Sequence, residues 1–234
     1  MFSKKGLICA SVLLVLAISL AFGAPYFGAF QRSWAISSKV RTYEAGVRAR
    51  LEPVLKRKNY SYPLERFTLL VIKDVSQLQL FAHSSSGDAI HLKDYTILAK
   101  SGKLGPKLRE GDRQIPEGIY KVTLLNPRSL YHLSLRLDYP NEFDREMAQR
   151  DGRTRLGGDI MIHGKNASVG CIALGDPGIE EIFCLAARAG VAKIKVLIVP
   201  TDWRMGRFDV PGDAPAWVTE LYSALKTELG QLPQ

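Results

Sequence analysis

The chain has 234 residues, a formal net charge of +9 and only three cysteines, enough length for one domain with a real core plus appendages. A basic balance suits an acidic target, either a phospholipid surface or the free carboxylates of a cell-wall polymer. The four histidines, at 83, 91, 132 and 163, are too dispersed for a metal-ligand cluster, so neither a metal nor a cofactor is expected.

Lys4 and Lys5 precede an uncharged, apolar run from Gly6 to Phe30. Residues 1–30 therefore read as an export segment. Ala21-Phe22-Gly23 offers a small-x-small cleavage site, while the run is also long enough for an uncleaved inner-membrane anchor. Both readings place the rest outside the cytoplasm, in the periplasm or secreted, and argue against nucleic acid as a partner. Without this segment the net charge is +7, since only Lys4 and Lys5 leave with it (9 − 2).

Residues 31–65 read as a basic helical linker. Val40, Val47, Leu51, Val54 and Leu55 recur at near-helical spacing over 37–58, with Pro53 expected to bend or restart the helix. From residue 66 the pattern turns to strands. Phe67–Ile72 is β-rich and Gln77–Phe81 alternates with period two, giving a hairpin, followed by strands near 89–92 and 96–99. Residues 100–117 form a long, cation-rich, glycine-rich loop, expected to face substrate. A strand follows over 118–125.

Further on, 159–163 reads as a short strand ending in His163, and 170–174 as a second carrying Cys171. Asp176 as N-cap and Pro177 at the first helical position open a helix that Gly190 ends. A strand at 193–200 closes this unit. In the tail, 201–234, Trp217, Leu221, Ala224 and Leu225 make an amphipathic helix expected to pack on the domain.

The segment from Ile160 to Leu174 concentrates the chemistry. His163 and Cys171 lie eight residues apart, with Gly164 and Gly170 beside them. A cysteine acyl-transfer site needs a thiolate, a base within reach and donors aimed at an oxyanion. His163 supplies the base and later the acid, Cys171 the nucleophile. Amides around Val169, Gly170 and Cys171 are oxyanion donors, and Ser168 orients the turn. Cys184 falls in an apolar helix pattern and reads as a buried thiol, with a Cys171–Cys184 disulfide as the rival reading.

His163-Gly164 followed by Ser168-Val169-Gly170-Cys171-Ile172 resembles the active-site signature of the YkuD-type L,D-transpeptidases. Lys100-Ser101-Gly102 and Ile115-Pro116-Glu117-Gly118-Ile119-Tyr120 resemble the elements that precede it. The resemblance spans 66–200 and implies a mainly β, α+β cysteine acyltransferase fold, with a helix after the nucleophile and a C-terminal helix. The common pattern has a histidine just before Gly-Cys and an arginine soon after; here these positions are Val169 and Ala173. Both departures are similar to the YafK-like branch, as are residues 105–112 and 131–134. With no arginine at 173, another cation must meet substrate carboxylates: Lys107, Arg109 and His132 are the candidates.

The resemblance implies attack by Cys171 on the carbonyl of a diaminopimelate residue in a peptidoglycan stem peptide, through a thioester. Amine acceptors give cross-links or anchor a lipoprotein, whereas water gives a hydrolase that releases a wall-linked outer-membrane lipoprotein. A papain-like or NlpC-type peptidase would place cysteine before histidine. A sortase would need a longer separation and a later arginine. A non-catalytic wall-binding module is the remaining alternative.

Overall fold

The computed structural model describes residues 28–234 in full and, of residues 4–27, the backbone alone. The side chains of the export segment expected over 1–30 therefore lie, but for its last three positions, outside what the structure describes. Among the described residues no helix is long and apolar enough to cross a membrane.

Helix α1 (Lys4–Arg57) leads into eight strands that form one mixed sheet: β1 (Phe67–Ile72), β2 (Gln77–His83), β3 (Ala89–Thr96), β4 (Gly118–Ser129), β5 (His132–Leu137), β6 (Met161–His163), β7 (Ile172–Ala173) and β8 (Ile194–Val199). Their spatial order is β3-β2-β1-β8-β4-β5-β6-β7. Most pairs are antiparallel, but β1 runs parallel to β8 and β6 parallel to β7. Three further helices are α2 (Glu142–Arg150), α3 (Gly175–Ala189) and α4 (Val218–Leu229). The fold is α+β.

β1 reads as an unbroken apolar run because both of its faces are covered. Phe67, Leu69 and Val71, with Val196 and Ile198 of β8, join the core shared with α1 and α3. Leu70 and Ile72, with Leu197 and Val199, turn to the opposite face and meet Leu221, Tyr222, Leu225 and Leu229 of α4. Each such side chain contributes about 1.5–3 kcal/mol when fully buried. The amphipathic tail helix thus covers the outer face of β1 and β8.

The helical stretch expected as a linker is also part of the core. Val40, Val47, Leu51 and Leu55 are each at most 5% exposed. Arg50 Nε lies 2.5 Å from Glu181 Oε1 of α3, while Lys93 Nζ and Tyr95 of β3 bond Oε2 at 2.7 and 2.9 Å. This buried carboxylate ties α1, α3 and β3 together. Pro53 neither ends nor restarts α1. The carbonyl it deprives of a donor belongs to Ala49, on the exposed side, where water can serve.

Two strands expected near 89–92 and 96–99 are one, β3, with only an isolated bridge from Ala99 to Ala173 beyond it. α3 begins at Gly175, and Asp176 does not cap it: its Oδ1 instead accepts from the Lys165 amide at 2.9 Å. Gly190 does end α3, at φ +86°.

The 100–117 loop is pinned rather than free. Asp112 accepts from the amides of Leu108, Arg109 and Gln114 and from Lys107 Nζ. Burial pushes its carboxyl upward, but these donors win and hold it below the usual range. Beneath, Lys73 Nζ donates to Gly105 O (2.8 Å), Ile115 O (3.0 Å) and Glu117 Oε1 (2.9 Å). Glu117 Oε2 takes the Tyr222 hydroxyl of α4 at 2.7 Å.

Candidate active site

His163 ends β6, and Cys171 immediately precedes β7, its parallel neighbour. The register Ile162↔Ile172 and His163↔Ala173 sends the two isoleucines into the core and puts His163 and Cys171 on the other face. Their offset of one strand and two residues corresponds to about 8 Å between Cα atoms, within reach of the two side chains.

His163 is 3% exposed, and its Nδ1 lies 2.7 Å from Gly164 O. A carbonyl only accepts, so Nδ1 carries the hydrogen and, in the neutral ring, Nε2 keeps its lone pair. Burial lowers the imidazole pKa, against a smaller upward pull from that carbonyl. Burial likewise pushes the Cys171 thiol up; Asp159 adds to the rise, while the Met161 amide and Lys107 oppose it. The resting pair is therefore a neutral thiol and a neutral imidazole. Cys171 Sγ contacts Asp159 O at 3.6 Å, and no hydrogen bond joins it to His163 among the described residues.

The turn that carries Cys171 is closed by two serines. Ser168 Oγ accepts from the Cys171 amide at 3.0 Å and donates to Cys171 O at 2.6 Å. Gly170, at φ +83°, gives its amide to Ser101 Oγ at 2.6 Å, and Ser101 donates in turn to Arg113 O. Two of the three expected oxyanion donors are thus engaged by serine hydroxyls. Gly164 has no room for a side chain: a Cβ would stand 2.6 Å from Asp176 Oδ1 and 2.8 Å from Tyr131 O. Cys184 is free and fully buried, and Cys171 is free and half-buried.

Cys171 opens into a small 230 Å³ pocket walled by Lys107, Glu110, Arg113, Asp159 and Val169 among others. A larger 680 Å³ cleft lies across the same loop, lined by Leu104, Leu108, Arg109, Arg153 and the 211–215 segment. The small pocket is the one that holds the thiol.

Two of the expected carboxylate partners are already engaged. Lys107 is buried, with its ammonium held by Asp112 and Arg109 O. His132 bonds Glu180 at 3.1 Å and stacks edge-on against Tyr43. Burying a lysine requires such partners. Arg109 is exposed but lines the larger cleft. Sequence reasoning passed over Arg113, which lines the thiol pocket, is exposed, and sits at φ +56°. Its signal was its place directly after Asp112, the hub of the loop.

Residues 70–198 match the family model for the YkuD L,D-transpeptidase catalytic domain. The chain is 36% identical over 146 residues to YafK of Escherichia coli strain K12, whose name assigns it to the L,D-transpeptidases, and equally to YafK of Escherichia coli O157:H7. The match covers 58% of this chain and 56% of each relative, so the chain spans little more than half their length. Among solved structures, the helical cell shape determining protein Pgp2 from Campylobacter jejuni is 24% identical, with a TM-score of 0.48 over 60% of this chain and 50% of that one. Bdellovibrio bacteriovorus Bd1075 is 23% identical, with a TM-score of 0.43 over 60% and 50% of the respective chains.

Proposed function

The chain belongs to the YkuD L,D-transpeptidase catalytic-domain family, and from that premise we propose that it is a peptidoglycan-modifying cysteine acyltransferase of the cell envelope. The observation that carries this reading is the pairing of a half-buried free thiol with a buried, neutral imidazole whose Nε2 is unprotonated, on one face of neighbouring strands. A thiol of raised pKa is not nucleophilic at rest, so deprotonation must accompany attack.

Cys171 Sγ attacks the carbonyl carbon of a diaminopimelate residue as its proton passes to His163 Nε2. The tetrahedral oxyanion takes the Gly170 amide from Ser101 Oγ. It then collapses, breaking the C–N bond, and His163 returns the proton to the departing amine. The resulting thioester is opened by an amine, forming a new amide, or by water, forming a free carboxylate. His163 serves as base in that second step also. Arg113, in the thiol pocket, meets the free carboxylate of the diaminopimelate residue, the role that an arginine at 173 would otherwise fill.

The test is incubation of the protein with purified wall carrying bound lipoprotein, followed by mass analysis of the released muropeptides. New diaminopimelate cross-links identify an amine acceptor. Loss of lipoprotein-derived Lys-Arg remnants without cross-links identifies water. If the wall is unchanged while Cys171 remains reactive to thiol reagents, the proposed substrate is wrong. Arg113→Gln should raise KM for free-carboxylate substrates and abolish any preference over their amidated forms; an undiminished preference removes Arg113 from this role.

A further inference from the structure

An aromatic ring lies against the imidazole of His163. The ring centroids of Tyr131 and His163 are 4.6 Å apart, with planes inclined by 39°. His163 is buried, whereas Tyr131 is 43% exposed and Leu130 beside it 87% exposed. Tyr131 occupies the turn between β4 and β5, a place where exposed small or polar residues are the rule. Its backbone is fixed from both sides. The amide donates to Ser129 Oγ at 3.1 Å, and the carbonyl accepts from the amides of Leu133 and of Gly164, the residue after His163. The charged groups flanking this turn are Lys165, whose ammonium is 6.0 Å from the Tyr131 centroid, and Asp176, which holds the Lys165 amide.

We propose that Tyr131 is a positioning residue for His163: its ring holds the imidazole in the plane set by the Nδ1 bond to Gly164, and supports the imidazolium formed when Nε2 takes the Cys171 proton. This rests on the His163–Cys171 reading above. A hydrogen bond at one nitrogen leaves the ring free to rock about that contact, and a stacked aromatic removes this freedom. The same face attracts the cation once it forms, where a water-filled gap would let it relax into other orientations. The contact is made by the ring, so the hydroxyl is not required.

The test is the rate of Cys171 alkylation by iodoacetamide near neutral pH in the full chain, read on the Cys171 peptide by mass spectrometry so that Cys9 and the buried Cys184 do not contribute. It compares wild type, Tyr131→Phe, Tyr131→Ala, His163→Ala and the Tyr131→Ala/His163→Ala double variant. Tyr131→Ala should slow the reaction roughly tenfold, a fraction of what a general base supplies. Tyr131→Phe should stay within about twofold of wild type, and Tyr131→Ala should add nothing in the His163→Ala background. A Tyr131→Ala rate equal to wild type, or an equal slowing in both backgrounds, overturns the proposal. If His163→Ala itself reacts at the wild-type rate, it is the His163–Cys171 reading that falls. Thermal unfolding accompanies each rate. Should Tyr131→Ala not fold, Tyr131→Leu, which keeps bulk without a π face, carries the same expectation.

Discussion

Replacing Lys73 by methionine should destabilise the protein by about 3–5 kcal/mol, the usual consequence of stranding one member of a buried ion pair. Lys73 is 2% exposed and Glu117 1% exposed. All three ammonium protons are used, on Gly105 O, Ile115 O and Glu117 Oε1. The substitution leaves a buried carboxylate with only the Gly105 amide and the Tyr222 hydroxyl as donors, and takes its donor from the Ile115 carbonyl, while Gly105 O keeps Gln114 Nε2 at 2.8 Å. By contrast, the Arg155–Glu110 pair, with side chains 82% and 57% exposed, contributes about 0–1 kcal/mol. Removing both charges, as Lys73→Met/Glu117→Leu, should recover part of the loss, because no unpaired charge remains, while the orphaned Gly105 amide, Tyr222 hydroxyl and Ile115 carbonyl still cost about 1 kcal/mol each. Urea titration followed by tryptophan fluorescence suits the measurement, since Trp203 packs against Tyr222 at 5.3 Å between centroids. A Lys73→Met loss no larger than that of Arg155→Ala would refute the reasoning. So would a double variant as unstable as the two single losses added together.

Three other outcomes follow from the geometry. Because His163 titrates below its ordinary 6.5 and Cys171 above 9.0, the rate should climb with pH through a midpoint under 6.5 and then stay level to about pH 8; thiolate absorbance already present at the acid end would show a charged resting pair instead. Gly164→Ala, which puts a methyl 2.6 Å from Asp176 Oδ1 and 2.8 Å from Tyr131 O, should reduce Cys171 alkylation at least about tenfold, and an unaltered rate would mean that the strand end tolerates displacement. Asp144 is raised to about 6 by burial, so its contribution is fully present below the unfolded value of 3.8 and is lost as pH rises through 6. Urea titrations at pH 4 and pH 7 should therefore show Asp144→Asn gaining on wild type by up to about 3 kcal/mol, and a constant difference between the two proteins would contradict the shift.

The strands legible in the sequence were those whose period is set by burial on one or both faces, β1 and β2 above all, together with the glycine stop of α3. β5 and α2 were not anticipated. β5 has the pattern His-Leu-Ser-Leu-Arg-Leu, alternating as a strand should, but Ser134 on its polar side is buried beside Met161 because the site is packed there. α2 announces itself only through a capping box, with Asn141 and Asp144 bonding each other's backbone, and has just two buried residues. Asp176 looked like a cap because Asp-Pro is a good helix opening; tertiary demand from the Lys165 amide took its carboxylate instead. At the candidate site, one short segment of sequence placed His163, Ser168 and Cys171 close together, as β6 and β7 do in the fold. The engagement of Lys107 by Asp112 and of His132 by Glu180 was not, since each depends on the folded path of a loop or on a partner 48 residues away.

The two halves of β4 serve different neighbours. Gly118–Lys121 pair with β8, in the doubly covered centre, whereas the remainder pairs with β5 and so carries β6 and β7 beyond it. An irregularity in register between Val122 and Leu124 marks the changeover. The sheet therefore has a seam, crossed by β4 and bridged again where Ala99, beyond β3, pairs with Ala173 of β7, with the frame on one side and His163 and Cys171 on the other. Such a seam lets the outer strands breathe while the frame stays shut, on timescales that amide exchange can separate. It also gives lineages a point at which the half carrying His163 and Cys171 can be re-aimed, by lengthening or shortening a bulge, while the pairing of β1 with β8 is kept.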